Sequence, residues 1–522
     1  MTTDSSAAPP DGTGSESRWS RTLGRVSTRQ MAMAVASLPA LGLLPLLVVP
    51  IPRGHHAARE VAGYFQALAL VRDGLASYGY VTLAESDAAL HLYSVLSAPL
   101  VAAGYLEGGR LVSAVAAVCA ALVVGWIAAR LYGSIAGVLA VAGMWANPYF
   151  FRFAWGVTPE ATGIALTVGA VAATLRYDET DDGRWFGLAL VLIVLGIANH
   201  GWEATVALPV AAIAVHRGEW LRGVGAFAVA GVALAVVKTI LGLQPNGAET
   251  TGYLLGRSES FLLLSPDWWG YWAAPLLAFP TGPFSLARPV LFFGGLVAAA
   301  VSGYRVLRRR RRADVVVFAW LFSGLAVPFG LPGGAVIHYY YLWGVVAPLT
   351  VALAAVGGRI HATLVETSGL DARTVLSVVL VVVVAVGCVN AAWTGVRPTV
   401  TTDGDGVGVE YRVDTTPDDL RPGEGERAGR AIRRAGVADA GSIVFVGNWT
   451  GWIDGYGDYY RSGAVRVMVY SGTVVRGVWH REPVSDRTTV PRFVASNASV
   501  GDCSVTVHRS ETGNASVRRC GG

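Results

Sequence analysis

Charge is scarce in this sequence. Only 15% of its 522 residues are Asp, Glu, Lys or Arg, against about 25% in a soluble globular chain. The deficit comes from long uncharged runs, so most of the chain is solvated by lipid rather than water. Accordingly, 53% of residues are hydrophobic and the mean hydropathy is +0.47. Lysine is nearly missing: Lys238 is the only one. The net charge of +5 is small and sits largely in short loops, so it reads as topology and not as a nucleic-acid surface. Cysteine is sparse as well. Cys119 and Cys388 fall in apolar runs, where a thiol packs as a small hydrophobe, while Cys503 and Cys520 lie in a polar tail and can pair if that tail is outside the cytoplasm. There is no Cys-x-x-Cys or His-rich pattern, so no metal ligands are assigned and a divalent-metal requirement stays open. A Walker or dinucleotide loop is also lacking, and no internal repeat is evident.

What is present is a succession of apolar runs. Residues 1–30 are rich in Ser, Gly, Pro and Asp and read as a disordered cytoplasmic tail. Arg18, Arg21, Arg25 and Arg29 precede the first span, Met31–Pro50, and place the N-terminus inside. That span is long enough to cross and lacks an early cleavage site, so it reads as an uncleaved anchor. A large first outside loop, 51–109, follows. Within it Val61–Leu75 reads as a helix lying on the membrane surface. Asp87–Tyr105, interrupted by His91 and Pro99, reads as a second surface or re-entrant element.

Further spans are expected near Arg110–Ala129, Ser134–Phe150, Glu160–Leu175, Trp185–Ala198 and Glu203–Val215. Others are expected near Gly223–Leu243, Pro289–Tyr304, Val315–Leu331, Ile337–Val356 and Val375–Val396. With the N-terminus inside, the cytoplasmic loops hold Arg130, then Arg176 and Arg184, then Arg217 and Arg222, then Arg305 with Arg308–Arg312, then Arg359 and Arg373. Each is basic, as the positive-inside rule requires. The expected fold is an all-α polytopic membrane protein of about eleven transmembrane helices, multi-pass in the cell membrane, occupying 31–398. Residues 399–522 are polar and long enough for a small α/β domain outside the cytoplasm. In it Glu424–Ala435 reads as a helix, and Ser442–Val446, Val465–Tyr470 and Val505–His508 read as strands. Three glycan-acceptor patterns, at Asn448, Asn497 and Asn514, agree with that side of the membrane.

The outside loops collect the chemistry: Glu60, His91, Pro159–Glu160, His200–Glu203, Gln244–Arg288 and His338–Tyr341. Glu60 follows His55, His56 and Arg59 directly after the first span. A carboxylate with basic neighbours at a membrane surface is where a lipid-linked phosphate could be attacked, so Glu60 is read as a catalytic base. The competing reading is an interfacial ion pair with Arg59 or Arg53. Glu160 opens a span after Pro159, where it either completes a helix N-terminus or holds substrate. Lys238 lies near the outer end of a span, as a phosphate contact or a snorkelling side chain. Arg257, Arg288 and His338 are candidates for the same phosphate. The tryptophans of Trp268–Trp272 suit either a sugar or the membrane interface.

Taken in order, these residues resemble the family-C glycosyltransferases, in particular the dolichyl-phosphate-mannose–protein mannosyltransferase group. Glu60 and Tyr64 have the spacing of that group's loop acid and tyrosine, although Arg59-Glu60-Val61 stands where an Asp-Glu pair is usual. His91-Leu-Tyr93 is similar to its His-Pro-Pro-Leu-Tyr segment without the prolines. Arg110-Leu-Val-Ser-Ala114 resembles the run that opens its next span. The likeness continues through Ala129-Arg-Leu-Tyr-Gly133, Ala146-Asn-Pro148, Arg152 and Pro159-Glu160, with a fainter echo at His338-Tyr-Tyr-Tyr341.

The resemblance implies a sugar donor on a polyprenyl or dolichyl phosphate, mannose or another hexose. It also implies an acceptor on the outer face: a glycoprotein glycan, a protein or a lipid. It would make Glu60 and Glu160 catalytic, with Arg59, Tyr64, His91, Lys238, Arg257, Arg288 and His338 contacting substrate. Two other classes are weighed against it. A transporter or flippase calls for inverted repeats or charges near the bilayer centre. A scaffold with an outer binding domain leaves Glu60, Glu160 and Lys238 on one face without a reason.

Overall fold

The computed structural model describes residues 28–48, 64, 66–67, 70–71, 92–105, 107–242, 287–309, 311–332, 343–368, 372–395, 397–403, 406–412, 442–447, 475–480, 492–496, 503–509 and 515–519. Up to residue 395 these are mostly helical. The helices are α1 (Thr28–Ala36), α2 (Leu92–Ala102), α3 (Gly108–Tyr132), α4 (Ser134–Ala146), α5 (Pro148–Phe153), α6 (Glu160–Thr180) and α7 (Gly183–Asn199). They continue with α8 (Ala207–His216), α9 (Trp220–Gly242), α10 (Ala287–Arg309), α11 (Arg312–Gly330), α12 (Trp343–Ser368) and α13 (Ala372–Gly395). Two 3-10 segments, Leu38–Val48 and Gly201–Val206, extend α1 and lead into α8.

Among the described residues, four helical stretches are long and apolar enough to cross a membrane by themselves: Gly108–Tyr132, Trp220–Ile240, Arg312–Gly330 and Trp343–Thr367. Several other expected spans are shorter, for local reasons. The expected Ser134–Phe150 stops at Ala146 because Asn147 precedes Pro148 and is held extended, while Pro148 starts the short α5. The expected Glu203–Val215 begins instead as the 3-10 segment, one turn before α8. Within the expected surface element Asp87–Tyr105, residues 92–105 are described, and Leu92–Ala102 form α2. The surface helix expected at Val61–Leu75 is described only at five positions, all helical.

α3 is central. It lies between α4 and α6 and buries Ala117, Ala120, Ala121, Val124 and Ala128 completely. Small residues let helix backbones come close where lipid supplies no hydrophobic drive between them. α6 packs on α7, α8 on α9 and α11, and α12 on α4, α10 and α11. The α11–α12 contact is especially tight: a Cβ at Gly324 would lie 2.5 Å from the carbonyl oxygen of Gly344.

The two ends of α6 differ in kind. Its 21 residues extend about 30 Å, the thickness of a bilayer's hydrocarbon core. At its C-terminal end, Asp181 takes the left-handed conformation (φ 57°), and Asp182 then caps α7 by accepting from the Arg184 amide at 3.0 Å. Around this turn Arg217 reaches Asp178 (3.5 Å), Asp181 and Glu219 (3.2 Å). Arg312 reaches Asp178 (2.7 Å), and Arg222 reaches Glu219 (2.9 Å). Arg217 and Arg222 also lie over the Tyr177 ring. Partial burial disfavours the Arg217 charge, but Glu219, Asp178 and Asp181 outweigh it and raise its pKa. Of the five loops expected on one side by their arginines, those holding Arg130, Arg176, Arg217 and Arg312 thus meet at one end of the bundle.

Beyond residue 396 the described residues are strands. β1 (Arg397–Asp403) and β2 (Gly406–Arg412) form an antiparallel hairpin. β3 (Ser442–Gly447), β4 (Val475–His480), β5 (Arg492–Ser496), β6 (Cys503–Arg509) and β7 (Ala515–Arg519) form a sheet in the order β4-β3-β5-β6-β7. Only β3 and β4 are parallel, which requires a crossover between them. Two of the three expected strands fall in β3 and β6. The third, Val465–Tyr470, and the helix expected at Glu424–Ala435 lie outside the described residues, as does Cys520.

Candidate active site

The other end of α6 carries Glu160 in its first turn. The five residues before it run without regular structure and are fixed by α3. Arg110 is fully buried; its Nη1 donates to the Trp155 carbonyl at 3.0 Å, and its guanidinium lies 4.9 Å from the centre of the Trp155 ring. One turn later Ser113, also fully buried, donates to the Gly156 carbonyl (2.5 Å) and lies 3.4 Å from that of Thr158. The Arg-Leu-Val-Ser-Ala run therefore satisfies the exposed carbonyls of an irregular segment that would otherwise be unpaired in a low-dielectric interior.

Asn199, at the end of α7, supplies a second clamp. Its Nδ2 donates to the Pro159 carbonyl at 2.9 Å, and its Oδ1 accepts from the Tyr93 amide at 3.1 Å. One fully buried side chain thus joins the start of α6 to the start of α2. α2 is tied in turn to the segment after the first span, where Ser94 donates to Gln66 at 2.9 Å. Tyr93 is buried against α3 at Gly109. A Cβ there would overlap the Tyr93 hydroxyl and lie 2.8 Å from Val157 Cγ1. Gly109→Ala is expected to destabilise the protein by about 1–3 kcal/mol through overpacking, and Gly109→Ala with Tyr93→Phe to recover part of the loss. Thermal unfolding of detergent-purified protein measures both. A single mutant as stable as the parent would disprove the close approach.

A second carboxylate lies beside the first. Glu203, in the 3-10 segment, is 2% exposed and Glu160 is 3% exposed. The two carboxyls lie close enough to interact electrostatically. Glu203 Oε1 rests on Gly163, one helical turn after Glu160, where a Cβ would overlap it and meet the Trp343 ring at 2.7 Å. Gly196 of α7 supports the Glu203 stem, with room for a Cβ only at 3.0 Å. Among the described residues Glu203 Oε1 has no hydrogen-bond partner. A buried carboxylate is costly in such surroundings, and ionisable groups within a membrane bundle mark functional sites. The sequence singled out Glu160 for this place. It gave Glu203, Asn199, Arg110 and Ser113 no role, although the His200–Glu203 cluster and the Arg-Leu-Val-Ser-Ala run were visible as patterns.

The other expected site residues fare unevenly. Tyr64 is buried, 2% exposed. Lys238 lies on α9 one turn beyond Leu234, whose side chain approaches Gly201 beside Glu203. It therefore sits at the same end as Glu160. Arg288 falls in the first turn of α10, where the backbone alone is described. Glu60, Arg59, His91, Arg257 and His338 lie outside the described residues, as do the tryptophans of Trp268–Trp272. Among the described residues no group of three or more His, Cys, Asp or Glu side chains is placed to hold a metal ion.

Comparison with known proteins finds the resemblance read from the sequence. Residues 96–242 match the dolichyl-phosphate-mannose-protein mannosyltransferase family. That stretch is less than half of the chain, and it contains Arg110, Ser113, Glu160, Asn199, Glu203 and Lys238. No curated protein matches the chain. Among solved structures, an oligosaccharyltransferase from Archaeoglobus fulgidus, crystallised with zinc and sulfate, is similar at 13% identity with a TM-score of 0.48. The match covers 85% of this chain and 62% of that one. The chain thus spans less than two thirds of that relative's length. The same archaeon's AglB, in complex with an inhibitory peptide and a dolichol-phosphate, is similar at 14% identity and a TM-score of 0.43, over 77% of this chain and 58% of that one. ArnT from Cupriavidus metallidurans in the apo state is similar at 13% identity and a TM-score of 0.45, over 87% of this chain and 86% of that one.

Proposed function

We propose that this protein is an integral-membrane glycosyltransferase that moves a sugar, mannose or another hexose, from a polyprenyl or dolichyl phosphate to an acceptor on the outer face. The acceptor is a glycoprotein glycan, a protein or a lipid. The observation that carries the reading is the buried Glu160, fixed at the head of α6 by Arg110, Ser113 and Asn199, within the stretch that matches the mannosyltransferase family. About eleven spans, an inside N-terminus and an outside 399–522 domain complete the proposed layout.

In this reading an acceptor hydroxyl attacks the anomeric carbon of the donor sugar. The new glycosidic bond forms as the bond to the lipid phosphate breaks, and the phosphate leaves with the electron pair. Glu60 takes the hydroxyl proton as the bond forms. Glu160 holds the reacting hydroxyls in position. Lys238, Arg59, Arg257, Arg288 and His338 offset the charge on the departing phosphate, with Tyr64 and His91 at the edges of the donor site. Purified protein given a labelled polyprenyl-phosphate hexose is expected to label an acceptor, and Glu60→Gln to slow that transfer about 10²-fold or more. Wild-type rates in Glu60→Gln would refute the base assignment. Failure of the parent protein to transfer from any polyprenyl-phosphate sugar would refute the function.

A further inference from the structure

Glu203 does more than lie beside Glu160. It forms one wall of a cleft between the 3-10 segment, α11 and α12, lined also by Trp202, Thr205, Trp320, Ser323 and Trp343. In the cleft Ser323 donates to Thr205 at 3.1 Å, leaving a pair of hydroxyls at the wall beside the indole rings. Glu203, one of whose oxygens has no hydrogen-bond partner among the described residues, lines the cleft with them. Close contact of Gly324 with Gly344 fixes the spacing of α11 and α12 at the cleft, and Gly163 leaves the room that the Glu203 carboxylate fills.

We infer that this cleft receives the hydroxyl-bearing edge of the transferred sugar, with Glu203 accepting a sugar hydroxyl and the tryptophans covering the ring's apolar face. The chemistry points that way for two reasons. A buried carboxyl with an unpaired oxygen needs a hydrogen-bond partner, and a sugar hydroxyl, which both donates and accepts, supplies one without bringing a charge. Aromatic walls with a few convergent polar groups suit a ligand that is apolar on one face and polar at its rim. This rests on the transferase reading for the identity of the ligand, and it assigns Glu203 a contact with the sugar rather than with phosphate or the reacting proton.

The test is a binding measurement on the full-length protein in detergent. Tryptophan emission and thermal shift are followed with a short polyprenyl-phosphate hexose and, separately, with the same polyprenyl phosphate lacking the sugar. The parent is expected to bind the sugar-bearing probe more tightly. Glu203→Gln should lose about tenfold of that preference, and Ser323→Ala a smaller part, while binding of the bare phosphate is unchanged. Ser323→Ala guards against misfolding of the first variant, and the bare-phosphate arm reports an intact fold in both. Equal binding of the two probes by the parent, or an unaltered preference in both variants, would overturn the inference. Sugar-dependent binding through Glu203 without any transfer would sustain the cleft and reject the transferase. Transfer with unchanged KM and preference in both variants would do the reverse.

Discussion

Glu160→Gln is expected to reduce sugar transfer by about 10²–10³-fold, within the range lost when a positioned acid-base or hydroxyl-holding group is removed. Gln preserves the shape and the first turn of α6, so the folded protein should survive. The loss should fall on kcat more than on KM if Glu160 acts chiefly on the transition state. A helix-terminal carboxylate that serves only stability predicts something different: a change of about 1 kcal/mol or less in unfolding free energy and unaltered turnover. Steady-state transfer kinetics together with thermal unfolding separate the two, and full activity in Glu160→Gln would remove Glu160 from the reaction.

Arg110→Met should have the second large effect, although Arg110 touches no substrate in the proposed site. Met fills a comparable volume but cannot donate to the Trp155 carbonyl, and its loss also removes the cation over the Trp155 ring. An unsatisfied buried carbonyl costs about 1–3 kcal/mol. The more telling consequence is geometric. Residues 155–159 lead directly into Glu160, and a displacement of about 1 Å at a reacting group can lower a rate about 100-fold. Ser113→Ala, which removes the donor to Gly156, should act in the same direction more weakly. Parent-like turnover in Arg110→Met would show that the segment holds its course without α3.

The helical, membrane-embedded character and the approximate positions of most helices could be read from the chain, because long uncharged runs and punctuating arginines are local signals. Helix ends were harder. The expected span Ser134–Phe150 ran past Asn147-Pro148, a dipeptide that ends a helix, because apolar residues continue on both sides of it. Glu160 was legible as an acid after a proline at the head of an apolar run. Glu203 was not, since its burial depends on glycines at 163 and 196 on two other helices. The roles of Arg110 and Asn199 were hidden for the same reason. Their partners lie 45 and 40 residues away along the chain, and side chain to carbonyl bonds leave no periodicity to detect.

The arginine knot around Tyr177 has a mechanical consequence. It fastens the ends of α6, α8, α9 and α11 together at one rim, with Arg222 also over the Phe186 ring of α7, whereas Glu160 and Glu203 belong to the opposite rim. At the other rim Arg110, Ser113 and Asn199 clamp α2, α3, α6 and α7, so the helices left to splay there are α9 and α11, as a fan opens from its rivet. Amide exchange should therefore be slower near Asp178 and Arg217 and faster toward Gly330 and the far end of α9. A guest entering beside the acids would find the walls that yield most easily.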